Sequence, residues 1–183
     1  RPPGINRRAG QLPVYDSDTL TNYEIGWKTA WNEGKLIFNG AAFYQEWKDF
    51  QFSFLGENSF TEIRNAGDAG IYGVEVDFVW KPADGFTLSG SASYIHTRLS
   101  QDYCGVINPA TGEAVTVCPG PDDPNRPDAP EGQDLPTTPD FKMNMVARYD
   151  FDVGADVMAH VQGTLTYQTS SWPDLRDGTL NGI

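Results

Sequence analysis

Three carboxylates, Glu24, Glu75 and Asp77, stand among alternating residues. Paired acids can serve as general acid and base, the chemistry of glycoside hydrolysis. The same acids serve equally well as charges that keep one face of a strand wet. His160 stands with Gln162 and Thr164 and reads as a solvated residue or, with distant partners, a metal ligand. His96 has no partner near it in sequence. Cys104 and Cys118 share one polar, proline-rich stretch. A local disulfide formed in an oxidising compartment is the preferred reading, against two free thiols or a metal site. Closing such a loop contributes roughly 3 kcal/mol in the chain-entropy model. The acidic run at 122–134 offers oxygen ligands for calcium. It lacks the regular spacing and the glycine of an EF-hand loop, and Pro124, Pro127 and Pro130 stiffen it. The default is a solvated surface loop. Gly67, Gly70 and Gly73 do not make a phosphate cradle, because no helix follows them. Tyr103, Arg126, Trp172 and Arg176 fall in loops, where exposed aromatic and arginine side chains can contact a ligand or a surface polysaccharide.

The elements that must position these residues are strands. From Thr87 to Tyr94, Leu88, Gly90, Ala92 and Tyr94 fall on one face, and Thr87, Ser89, Ser91 and Ser93 on the other. Alternation with a period of two marks a strand between unlike environments. Here the apolar faces end in aromatics and some polar faces carry charge, which suggests lipid on one side and water on the other. The formal net charge of −12 argues against nucleic acid, whose phosphates need clustered Lys and Arg. No stretch reaches the length of a transmembrane helix. A mean hydropathy of −0.47 is compatible with transmembrane strands, which dilute apolar residues with polar ones.

The spacing predicts a loop over 1–20 and strands over about 22–32, 36–54, 60–80, 86–98, 140–150 and 157–169. In the first, Tyr23, Ile25, Trp27 and Trp31 oppose Asn22, Glu24, Gly26 and Lys28. The faces of the second are poorly resolved, since Phe43, Tyr44 and Trp47 fall on both. Tight turns follow strands one, three and five, and longer links follow the others, the longest over 99–136. In an antiparallel meander this rhythm gathers the tight turns at one end and the long loops at the other. Trp31, Trp80, Phe86 and Tyr149 then lie at the turn end, and Tyr72, Tyr94 and Tyr167 near the loop end. The expected fold is all-β: an up-and-down transmembrane barrel, of which this chain supplies about six strands.

Three stretches carry a family resemblance: Thr21-Asn22-Tyr23-Glu24-Ile25-Gly26-Trp27-Lys28-Thr29; Ala42-Phe43-Tyr44-Gln45-Glu46-Trp47-Lys48-Asp49-Phe50-Gln51; and Asn65-Ala66-Gly67-Asp68-Ala69 with Tyr72-Gly73-Val74-Glu75-Val76. Leu135-Pro136-Thr137-Thr138-Pro139, before the fifth strand, fits as well. In this order they resemble the barrel of TonB-dependent outer-membrane receptors. The resemblance implies a barrel of twenty-two strands around an N-terminal plug, of which this chain reads as a fragment from the C-terminal half. The start at Arg1-Pro2-Pro3 without a leader and the stop at Asn181-Gly182-Ile183 both read as cuts. The plug and the terminal aromatic strand are expected outside the chain.

The resemblance further implies TonB-driven uptake of a scarce nutrient, such as a ferric siderophore, across the outer membrane of a Gram-negative bacterium. The implied partners are outer-membrane lipid and lipopolysaccharide, the rest of the barrel and its plug, TonB through the plug, and a small-molecule ligand. No enzyme chemistry, cofactor or metal is expected. One alternative is a soluble extracellular β-sandwich that binds carbohydrate, with Tyr23, Ile25 and Trp27 packed against Val74, Val76 and Phe78 in a core. Another is a barrel serving as an adhesion or phage surface without uptake.

Overall fold

The computed structural model describes residues 1–6, 14–55, 61–103, 129–154 and 156–171. They form strands β1 (Thr19–Trp31), β2 (Leu36–Lys48), β3 (Gln51–Leu55), β4 (Thr61–Asn65), β5 (Ala69–Ala83), β6 (Phe86–Leu99), β7 (Phe141–Gly154) and β8 (Val157–Gln168). Six of them make one sheet in the order β1-β2-β5-β6-β7-β8, every neighbouring pair antiparallel. Among the described residues, β3 and β4 pair only with each other.

That hairpin corrects the expectation of unbroken strands over 36–54 and 60–80. Asp49 adopts a left-handed φ of 51°, and its backbone N–H donates to the Asp68 carboxylate at 3.1 Å. On the return, Gly67 takes φ 85°; a Cβ there would lie 2.0 Å from Gln101 Nε2. Apolar residues continue through both breaks, so periodicity misses them. β7 also runs past its expected end at 150, staying paired to Gly154, opposite Val157.

Opposed residues in an antiparallel ladder share a face, so the register settles which side chains lie together. One row runs Tyr23–Tyr44–Tyr72–His96 and the next Ile25–Ala42–Val74–Tyr94–Phe141. Further towards the turns lie Trp31–Leu36–Trp80–Leu88–Ala147. This face is apolar and open: Ile25 is 72% exposed and Val74 42%. The β-sandwich alternative therefore fails. Both residue sets assigned to its core sit side by side on the same face of one sheet.

Aromatics gather at both margins of that face. Tyr23 stacks on Tyr44 at 6.4 Å and Phe141 packs against Tyr167 at 6.2 Å on the loop side. Tyr149 stacks on Phe151 at 6.0 Å on the turn side. Tyr72 and Trp80 are separated by eight residues of β5, ~26 Å of strand at the usual rise. A tilt of about 40° reduces this to ~20 Å of height, close to the apolar band of an outer-membrane barrel.

A closed core exists only at the loop end among the described residues. Phe50, Ala66, Ala69, Leu99, Tyr103, Ala129 and Leu135 are all buried, with Trp47, Phe52 and Ile71 packed around them. Trp47, Ala69, Ile71 and Leu99 belong to the polar face by register. The loops thus fold over the polar side of the sheet. Their backbones are tied together as well. Leu99 N–H donates to Gln133 O at 2.9 Å, Ser100 N–H to Asp68 O at 2.8 Å, and Tyr103 and Ala129 exchange bonds of 2.7 and 3.0 Å.

The loop-end unit is sensitive to pH through Asp49. Partial burial pushes its carboxyl up, and repulsion from Asp68 and Asp16 adds to this, against a smaller opposing pull from Lys48. A raised pKa in the folded state means that its contribution is full below about pH 4 and is lost as pH rises through the folded value. Asp49→Asn removes the charge and keeps a residue that tolerates the left-handed turn. The variant is expected to be more stable than wild type at neutral pH by a few tenths of a kcal/mol after solvent screening. That advantage vanishes in acid. Amide-exchange protection of Phe50 and Ala66, whose N–H groups bond Gly67 O and Phe50 O at 2.9 Å, reads the difference.

Candidate functional site

The second face of the sheet carries the polar residues, again in rows set by register. One row runs Lys28–Asn39–Asp77–Ser91–Asn144–Thr166 and the row beside it Gly26–Ala41–Glu75–Ser93–Lys142–Gln168. Both rows line a single trough of about 890 Å³ reached from every strand of the sheet. A depression bounded by both the first and the last strand means that the polar face is concave. The right-handed coiling of a tilted antiparallel sheet produces this curvature.

Neighbouring polar side chains in the trough bond across strands. Asn39 Nδ2 donates to Asp77 Oδ2 and Asn144 Nδ2 to Thr166 Oγ1, each at 3.0 Å. Nearer the turns, Arg148 grips Asp150 with two nitrogens at 2.6–3.0 Å. His160 lies opposite Asp150 in the ladder. Glu24 accepts from Asn22 Nδ2 at 3.4 Å on the same face. Glu75 and Asp77 are two residues apart on one strand face, and Asp77 is already held by Asn39. The three acids and His160 are thus spread along a hydrated wall. Among the described residues no group of three or more His, Cys, Asp or Glu is placed to hold a metal ion.

Towards the loop end the wall changes character. The ring of Phe43 lies across Gly73, where a Cβ would meet Phe43 Cζ at 2.6 Å and the Tyr94 carbonyl at 2.7 Å. Gly73 is therefore a close-approach glycine in strand β5. With Ile71 and Ile95 on the same face, Phe43 forms an apolar collar between the trough and the loop-end core. Its place directly before Tyr44 and four residues before Trp47 hid this in the sequence, since aromatics fell on both faces.

Tyr103, expected as an exposed loop aromatic, is 4% exposed and sits edge-on to Phe52 at 5.0 Å. Arg126, Trp172, Arg176, Cys104 and Cys118 lie outside the described residues. So does most of the acidic run; of its described members, Glu131 offers its backbone N–H to Asp102 Oδ1 at 2.7 Å.

An apolar convex face, a polar concave one and loops gathered at one end describe a wall between lipid and water. The family model for the TonB-dependent receptor-like β-barrel matches residues 1–182. The chain belongs to this family. A TonB-dependent receptor resides in the outer membrane of Gram-negative bacteria, so the loop end faces outward and the tight turns face the periplasm. Members of the family are transporters. Among solved structures, the receptor barrel is similar to the ferric yersiniabactin uptake receptor of Yersinia pestis, with a TM-score of 0.54 at 20% identity. That match covers 84% of this chain and 19% of the other, so the chain spans about a fifth of the solved receptor. No curated protein matches it by sequence.

Proposed function

We propose that the receptor containing this wall takes up a scarce nutrient, such as a ferric siderophore, with TonB acting through a plug inside the barrel. The observation that carries this reading is the hydrated concave face opposite an apolar one, in a chain matched to the receptor family over nearly its whole length. A barrel serving only as a docking surface needs no wet lumen. The similar structure is a ferric yersiniabactin uptake receptor. Within this reading the wall keeps a polar path through the membrane. Arg126, Trp172 and Arg176 contribute ligand contacts from the loops, and Cys104 pairs with Cys118 to close one of them. Deleting the gene and growing the strain on single defined iron or vitamin sources tests the proposal. A growth defect confined to one source supports uptake and names the ligand; normal growth on every source favours an adhesion or phage surface.

A further inference from the structure

The row Thr21–Glu46–Gly70–Arg98 crosses four strands at the loop-side margin of the apolar face. It sets a carboxylate and a guanidinium on either side of a glycine. Gly70 leaves the space between them open, since nothing lies within 4 Å of where its Cβ would be. Two strand spacings put the Glu46 and Arg98 backbones roughly 10 Å apart, a span that these two long side chains can close together. They have not closed it. Glu46 makes no hydrogen bond or ion pair among the described residues. Lys48, two residues on, acts on Asp49 instead.

Arg98 turns to its own strand. Its Nε donates to His96 Nε2 at 2.6 Å, and the His96 ring packs on Tyr72 at 5.0 Å. An imidazole that accepts through Nε2 is neutral and carries its proton on Nδ1. That Nδ1 is buried and has no hydrogen-bond partner among the described residues. Protonating the ring therefore breaks the bond to Arg98, gains no other, and sets two cations side by side. The other titratable groups around the ring are Tyr72 on β5, Glu46 and Lys48 beyond it on β2, and Asp140 just before β7. Asp140 stands beside Ile95, a polar-face residue whose N–H donates to its carbonyl at 2.8 Å. Glu46 is thus the acid that shares the face of His96 and Arg98.

We propose that Arg98 is a pH-driven arm, bound to His96 while the imidazole is neutral and crossing Gly70 to the Glu46 carboxylate when the imidazole is charged. An ion pair at the surface contributes little, so the nearer neutral acceptor holds Arg98 until that acceptor is protonated. At about pH 5 histidine side chains as a class are charged, and glutamates still are. In mild acid the arm clasps β2 to β6 over β5 at the outer rim of the wall. The inference rests on register and contacts, independently of what the receptor transports.

The test is the unfolding rate of the whole receptor in detergent micelles, read by heat-dependent gel mobility at about pH 7.5 and about pH 5. Glu46→Gln is expected to leave the rate unchanged at the higher pH and to raise it roughly threefold at the lower, the size of a surface ion pair. At the lower pH, Arg98→Gln added to Glu46→Gln should cause no further rise. Gly70→Leu fills the gap without touching a charge and should remove the effect of Glu46→Gln. His96→Gln supplies an acceptor that does not titrate, so in its background Glu46→Gln should change nothing at either pH. If Arg98→Gln does not fold, Glu46→Gln with and without His96→Gln carries the test alone. An effect of Glu46→Gln that is equal at both pH values, or absent at both, overturns the proposal. So does a pH-dependent effect that survives in the His96→Gln background.

Discussion

Val76→Arg is expected to destabilise the closed barrel by about 2–4 kcal/mol, whereas Ser91→Arg leaves it within a few tenths. Val76 lies midway between Tyr72 and Trp80 on β5, on the apolar face and therefore near the bilayer midplane. Lipid there cannot solvate a guanidinium. Ser91 lies at almost the same depth on the other face, opposite Asp77 in the ladder. Its replacement would project into the wet trough beside a carboxylate. The two variants introduce the same side chain into the same sheet, so β-propensity and expression burden are shared. Comparing the folded fraction of the whole receptor across a denaturant series, by heat-dependent gel mobility, separates them. Equal midpoints would show that the two faces do not meet different solvents.

Gly85→Ala should weaken the β5–β6 turn by more than ~2 kcal/mol, against ~1 kcal/mol for Gly34→Ala in the β1–β2 turn. Both glycines take left-handed conformations, with φ of 75° and 84°. They differ in their surroundings. A Cβ on Gly34 would meet nothing within 4 Å, while one on Gly85 would come within 2.3 Å of the Asp150 carbonyl oxygen. That oxygen is β7 backbone, and Asp150 N–H in turn donates to Gly85 O at 2.8 Å. A methyl group at 85 must therefore push one strand away from another. Refolding yield of the whole receptor into detergent micelles measures both effects, and equal yields would remove the close-approach argument for Gly85.

The faces of β1, β5, β6 and β7 were legible because each keeps strict alternation between two unlike solvents. Leu88 to Tyr94 and Val74 to Trp80 needed no tertiary information to be sorted. β2 was not legible, since Phe43 and Trp47 face the trough side with the polar residues. Trp47 packs against the loop-end core and Phe43 lies across Gly73, and this partial cover makes an aromatic acceptable on a wet face. The break at Asp49 was hidden for a related reason. Phe50 and Phe52 continue an apolar pattern, yet they pack on Tyr103 and Leu99 far along the chain rather than on lipid.

His96 shows the same limit. In sequence it had no partner; in the sheet its neighbour two residues on, Arg98, donates to it while Tyr72 on the adjacent strand supports the ring. Tyr103 looked like a ligand contact because an aromatic in a polar loop is commonly exposed. The backbone bridge to Ala129 draws it under cover instead.

By itself the sequence determined the strand class, the division into a lipid face and a water face, and which ends hold turns and loops. Those depend on period and link length, which are local. The tertiary structure decided the register, the concavity that makes a polar face into a trough, and the folding of the loops into a core over its mouth. Each of these depends on residues distant in sequence meeting across a strand, and alternation carries no record of which residue will stand opposite.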